Sequence, residues 1–185
     1  MALSYQPSPP AASAISQGEI LWGVIEHRDT APAIETEEHF VQSIRHPLAV
    51  VVTQGCDLLR DWEARQVKSF DESKAAMTHV LLCGLYEEGG LRNGPTPLNS
   101  TLWSRVEKNQ NERYHHLPSA TVGSSQLRLP DLYTDFRRPV ALPLASLYAG
   151  ITSLRVARLA VIPPIFLHDF IHRFYAFHSR VAIPE

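Results

Sequence analysis

Cysteine is scarce in this 185-residue chain, which has only Cys56 and Cys83. Two thiols form one disulfide at most, which excludes the cross-braced scaffold of a small secreted domain. Long apolar runs are missing too. No segment reaches the ~20 apolar residues a membrane span requires, so no membrane partner is expected. The opening M-A-L-S-Y-Q-P-S-P-P has neither the basic start nor the apolar middle of a secretory signal, and a cytoplasmic location is the expectation. An excess of one charge is also absent. The 17 Lys and Arg residues against 19 Asp and Glu leave a formal net charge of -2. No global basic field therefore draws the chain to nucleic acid, and such a role would need a local basic patch.

What is present is an ordinary globular composition, 44% hydrophobic and 19% charged, enough for one domain with a real core. Residues 1–16 are rich in Pro, Ala and Ser and read as a flexible tail, leaving 17–185 as a single domain. In Q-G-E-I-L-W-G-V-I-E-H-R, apolar residues at successive positions predict a strand buried on both faces. Thr30 to Ile44 reads as a loop or a short helix. After His46-Pro47, L-A-V-V-V-T is the strongest strand, because β-branched residues suit a pleated surface. M-T-H-V-L-L-C-G-L-Y is another.

Residues 99–110 predict a helix capped by Asn99 or Ser100. R-Y-H-H-L-P and L-Y-T-D-F-R-R-P-V-A-L read as further strands. The closing segment predicts a helix with Pro163 and Pro164 in its first turn and an apolar stripe of Phe166, Phe170, Phe174, Phe177 and Val181. That stripe either covers its own barrel or joins a second copy in a homodimer. The expected fold class is mainly β with α: a small, bent β-barrel with an inserted helix and a C-terminal amphipathic helix.

Two resemblances sharpen this reading. Gly18-Glu19-Ile20, the strand after His46-Pro47, and the ending R-L-A-V-I-P-P-I-F-L-H-D-F-I-H-R-F are similar to the MazF/PemK family. There a G-D-I strand is followed by an R-P-V-L-V-L-S strand. The resemblance implies an SH3-like barrel, endoribonuclease activity, RNA as partner, and a bacterial toxin-antitoxin or phage-defence setting. Where the family has its catalytic arginine before proline, this chain has His46. The family's catalytic Ser or Thr has no matched position. Secondly, V-V-V-T-Q-G-C-D-L, N-E-R-Y-H-H-L-P and L-Y-T-D-F-R together resemble a group of bacterial proteins with a (S/T)-Q-x-C-D motif. That likeness implies a fold and a site location but no reaction.

The candidate catalytic residues are Cys56, Asp57, His46, His115, His116 and Asp135. A cysteine nucleophile needs a base within hydrogen-bond reach. His115 or His116 would supply it, with Asp57 or Asp135 orienting the ring. Alternation along a strand lets only one of the two histidines face the site. The opposing reading makes Cys56 a small buried group and Asp57 a turn cap. Arg113, Tyr114, Arg137 and Arg138 mix cations with a ring that can stack on a base, and form the candidate nucleic-acid contact. The solvated strand end is the competing account of Arg137 and Arg138.

No cofactor or metal is expected. Cys56 and Cys83 lack the spacing of a compact zinc half-site. His168-Asp169-Phe-Ile-His172 has an aspartate one methylene too short for the zinc-protease helix. Its polar residues read as a solvated face carrying an Asp169–Arg173 pair. The rival functions are an RNA-binding or RNA-cleaving protein, a non-catalytic module with a protein partner, and a Cys/His hydrolase.

Overall fold

Val50, Val51 and Val52 are all wholly buried, and their alternation organises the molecule. The computed structural model describes residues 4–30, 40–67, 70–71, 77–94 and 97–180. Its strands are β1 Gln6–Pro7, β2 Glu19–Thr30, β3 Phe40–Val51, β4 His79–Leu85, β5 Tyr114–Leu117, β6 Ala120–Thr121, β7 Arg128–Leu129, β8 Leu132–Asp135, β9 Pro139–Pro143 and β10 Ala157–Val161. Its helices are α1 Gly55–Arg65, α2 Glu88–Arg92, α3 Ser100–Glu107, α4 Leu144–Thr152 and α5 Pro164–His178.

Six strands form an antiparallel sheet in the order β1-β10-β2-β3-β4-β9. Successive strand side chains point to opposite faces. Val50 accordingly joins Ile20, Cys83 and Leu85 in one core, which α5 covers with Phe170 and Phe174. Ala49 and Val51 join Leu21 and Leu82 in a second core, covered by Leu58 of α1 and by Leu147 and Ile151 of α4. The two-sided burial expected from the sequence is thus observed at the start of β2. A third cluster packs Trp103 and Val106 of α3 on Tyr114 and Tyr133, the outer face of the β5-β8 pair.

The sheet is open, which corrects the expectation of a closed barrel. β5-β8 and β6-β7 are separate two-stranded sheets. Among the described residues, isolated bridges join them to the rest, Tyr86 with Tyr133 and Tyr5 with Val122. The strands flanking these gaps are two to four residues long, too short to carry a continuous ladder. Proline blunts both edges of the main sheet, Pro7 on β1 and Pro139 and Pro143 on β9.

Two further expectations are corrected. Residues 40–44 are strand: β2 and β3 form one long hairpin, paired from Ile20 with Val50 out to Thr30 with Phe40. Polar composition misled there, because pairing with β2 outweighs weak local propensity. Residues 31–39 of the expected loop lie outside the described residues. The N-terminal segment, expected to be flexible, is anchored in the core by Tyr5 and Ile15. Tyr5 is 1% exposed and donates its hydroxyl to the Pro118 carbonyl at 3.1 Å, and Ile15 is equally buried.

Arg158 holds the rest of that segment. It donates to the carbonyls of Pro10 at 2.7 Å, Ser13 at 3.0 Å and Ala14 at 2.8 Å. It also pairs with both carboxylate oxygens of wholly buried Glu19.

Both anticipated helices form. The Asn99 side chain caps α3, accepting from the Leu102 N–H at 2.8 Å. Helix α5 starts at Pro164 and buries its phenylalanine stripe, although Val181 lies outside the described residues. Arg158→Leu leaves Glu19 as an unpaired buried charge. Urea denaturation should show a loss of about 3–5 kcal/mol, with new protease sensitivity between Pro10 and Ala14. Unchanged stability would mean the pair contributes nothing.

Candidate functional site

Tyr86 follows β4 and anchors the junction to β8, exchanging backbone hydrogen bonds with Tyr133 at 2.9 and 2.8 Å. Its ring lies back over Gly84, where an added Cβ would fall 2.8 Å from the Tyr86 hydroxyl. Any larger residue at 84 would displace the ring. Beside Tyr86 is a small cleft of about 50 Å³, lined by Gly90 and Leu91 of α2 and by Arg113, Tyr114, Asp135 and Arg138.

The register of β5 against β8 sets Tyr114 opposite Asp135. Asp135, 4% exposed, accepts two bonds from Arg113, Nε to Oδ1 at 2.8 Å and Nη2 to Oδ2 at 2.5 Å. The Arg137 N–H adds a third at 3.1 Å, and the Arg138 guanidinium stands 3.9 Å away. The Arg113 guanidinium also lies over the Tyr114 ring, 4.6 Å from its centroid, at cation–π distance. Four residues proposed from the sequence, Arg113, Tyr114, Asp135 and Arg138, therefore share one cleft. Asp135, however, holds arginines and orients no imidazole.

A second charged group lies on the hairpin. His46 of β3 and Glu26 of β2 are each 8% exposed, and His46 Nε2 sits 2.9 Å from Glu26 Oε2. Arg28 donates to the same carboxylate, Nε at 2.5 Å and Nη2 at 3.1 Å. Burial alone would raise the Glu26 pKa, but hydrogen bonds from Arg28 and His46 outweigh it and hold the carboxyl below its ordinary value. Glu26 thus holds the His46 imidazole of the paired strand, while Arg28, its neighbour on the same strand face, holds Glu26.

The phenol of Tyr86 lies within the field of both groups. Burial is the main reason its pKa rises; nearby Arg138 lowers it, while Asp135 and Glu26 push it further up. Glu26, Arg28 and Tyr86 escaped the sequence reading. The signal was the spacing of Glu26 and Arg28 at i, i+2, which becomes informative only once β3 is paired with β2.

The other expected residues lie elsewhere. Cys56 and Asp57 are in the first turn of α1. The chain entering that turn bonds to Leu81 near the start of β4, whereas Tyr86 and the β5-β8 pair stand at its far end. Five strand residues separate these ends by ~16 Å, so the structure does not bring Cys56 or Asp57 beside the paired histidines. Cys56 is exposed rather than buried, and its sulfur lies 3.8 Å from both Gln54 Oε1 and Asp57 Oδ1. Cys83 is buried, and burial pushes its thiol up to about 12. The two thiols thus sit in different surroundings, one on the surface at the start of α1 and one in the core.

Alternation along β5 separates its histidines, as expected. His115 points inward, 3% exposed, with Phe170 edge-on at 5.2 Å between ring centroids and Phe136 at 6.1 Å. Its Nδ1 has no hydrogen-bond partner among the described residues. His116 points outward and stacks on Tyr133 at 4.7 Å. Its ring nitrogens lie 2.9 Å from the Glu107 carbonyl and 2.9 Å from Asp131, which commits it to tying β5 to α3 and the start of β8. Arg137 is exposed. Arg173 turns away from Asp169 and donates to the carbonyls of Asn109, Asn111 and Tyr114, replacing the expected ion pair.

The buried His115 gives stability a pH dependence. Burial, then the charges of Arg173 and His116, lower its pKa from 6.5 to about 3. The unfolded chain therefore takes up a proton first as pH falls below 6.5, and stability drops through that window. This group alone should remove about 2 kcal/mol between pH 6.5 and pH 5. Denaturation of His115→Leu at the two pH values should show that much less dependence; equal slopes would refute the assignment. Neither a family model nor a curated protein matches the chain.

Proposed function

We propose that the surface around Tyr86 binds RNA through its phosphates and that His46 is the acid–base group if the bound strand is cut. The observation carrying this reading is the convergence of Arg28, Arg113 and Arg138 with Tyr86, Tyr114 and one carboxylate-held imidazole. Arginine forks fit phosphate oxygens, and tyrosine rings offer stacking faces. The side chains of Arg28 and Arg138 are both about half exposed, at 54% and 53%. Each can reach a phosphate while its carboxylate neighbour restrains it. The near-neutral total charge then matters less than this local strip.

His46 stands where the MazF/PemK resemblance has its arginine. With His115 in the core and His116 bound to Asp131, it is the remaining imidazole with a chemical role among the three proposed. Glu26 fixes its ring, the orienting arrangement that acid–base catalysis uses. The arginines would stabilise charge developing on phosphorus. The finer fold reading, a barrel of the MazF/PemK kind, draws its support from Leu117, Ala120, Leu129 and Leu132 of the small sheets, which pack into the α5-covered core beside the open main sheet. A toxin-antitoxin or phage-defence setting and a cytoplasmic location go with that resemblance.

A non-catalytic binding role is the second reading, favoured by the carboxylates beside every cleft arginine. A mixed RNA, tested by anisotropy across a salt series and by gel for cleavage, separates the two. Arg28→Ala and Arg138→Ala should each weaken binding about threefold to tenfold and reduce the salt slope by about one. His46→Ala should abolish cleavage while leaving affinity within about twofold. Binding without cleavage selects the second reading. No binding by the wild type at low salt removes both.

A further inference from the structure

Helix α5 buries one face against the core and leaves another uncovered. Along the uncovered face, Ile165 is 67% exposed and Tyr175 is 44% exposed. His168 and His172 lie between them and are exposed as well. The spacing 165, 168, 172, 175 is the three-four-three step of a seam between two helices. The seam is also symmetric. Phe170 is the midpoint of the histidine pair and of the Ile165–Tyr175 pair, so an antiparallel second copy would set isoleucine against tyrosine on each side of the histidines.

The two imidazoles are arranged as metal donors. They sit at i, i+4 on one helix face with ring planes 10° apart and centroids 6.4 Å apart. A tetrahedral zinc ion holds two imidazole nitrogens roughly 3.3 Å apart, which a modest rotation of both rings allows. Asp169 beside them adds negative charge. The nearest cation on the helix, Arg173, is directed instead at the loop carbonyls of Asn109 and Asn111, so it does not compete. Zinc takes four protein ligands in a closed site, and this helix offers two. Among the described residues, no group of three or more His, Cys, Asp and Glu side chains is placed to hold a metal.

We infer that His168 and His172 are half of a site for zinc or a similar borderline divalent cation, completed by the same pair from a second copy of this chain across a two-fold axis. Four neutral imidazoles surround the ion, and an Ile165–Tyr175 contact flanks it on each side. Two such contacts are too small to hold a dimer alone, so association depends on the metal. The phenylalanine stripe, one candidate for a dimer contact from sequence alone, has no part in it because it is already buried.

The test is molar mass by light scattering in a Cys56→Ser background, which removes the exposed thiol as a competing ligand. Zinc titrated into metal-free protein should double the mass from 20.7 kDa, saturating at one ion per two chains, and chelator should reverse it. The His168→Ala/His172→Ala double variant should stay monomeric with zinc and melt like the parent in chelator, since both side chains are exposed. Ile165→Glu should weaken the dimer about tenfold while the monomer still binds zinc. A wild type that stays monomeric with zinc, or a double variant that dimerises equally well, would overturn the inference.

Discussion

The buried pairing of Glu19 with Arg158 is the constraint from which the remaining geometry follows. It joins the first residue of β2 to β10 and, through the other Arg158 donors, to the carbonyls of Pro10, Ser13 and Ala14. Two charges removed from water demand partners with good geometry, and here nearly every donor of the guanidinium has one. The position of Glu19 helps fix the register of β2. Since side chains alternate with a period of two, a slip of one residue would turn every β2 side chain to the wrong face. The same register carries Glu26 to His46, so the candidate site is positioned by an ion pair at the other end of the strand.

Apolar packing then divides the polar residues by location. With a core on each face of the main sheet, charge inside it is accommodated as the Glu19–Arg158 pair. Ionised groups collect where strands leave the sheet: Glu26, Arg28 and His46 on the hairpin, and Arg113, Asp135 and Arg138 around the β5-β8 pair. Tyr86 stands at the junction because β4 ends there and passes its last hydrogen bonds to β8. Gly84 leaves the space its ring occupies. At this junction carboxylates are buried and arginines remain partly exposed, a surface suited to an anionic ligand.

Several features were legible in the sequence for physical reasons. The triple valine could only be a buried strand. Asn99 before an apolar-periodic segment could cap a helix, and the phenylalanine spacing required a helix with one buried face. Arg113, Tyr114 and Arg138 were proposed together, with Arg137, because two strand-like segments carried them, whereas Asp135 was proposed for a different role. The misplacements shared a kind of cause, the reading of segments without their partners. Cys56-Asp57 and the histidine pair were joined by chemical type, without a means of knowing that β4 runs between them. The N-terminal segment looked unstructured because its partners are the carbonyl-seeking guanidinium of Arg158 and a strand beginning at residue 120.

The sequence by itself determined the strongly periodic elements and the burial of the valine and phenylalanine stripes, because these depend on period and side-chain type. Only the tertiary structure decided which imidazole meets a carboxylate. It placed His46 against Glu26, His115 among phenylalanines and His116 on Asp131. Those fates depend on which strand pairs with which and in what register, and that information is carried by contacts between residues far apart in the chain.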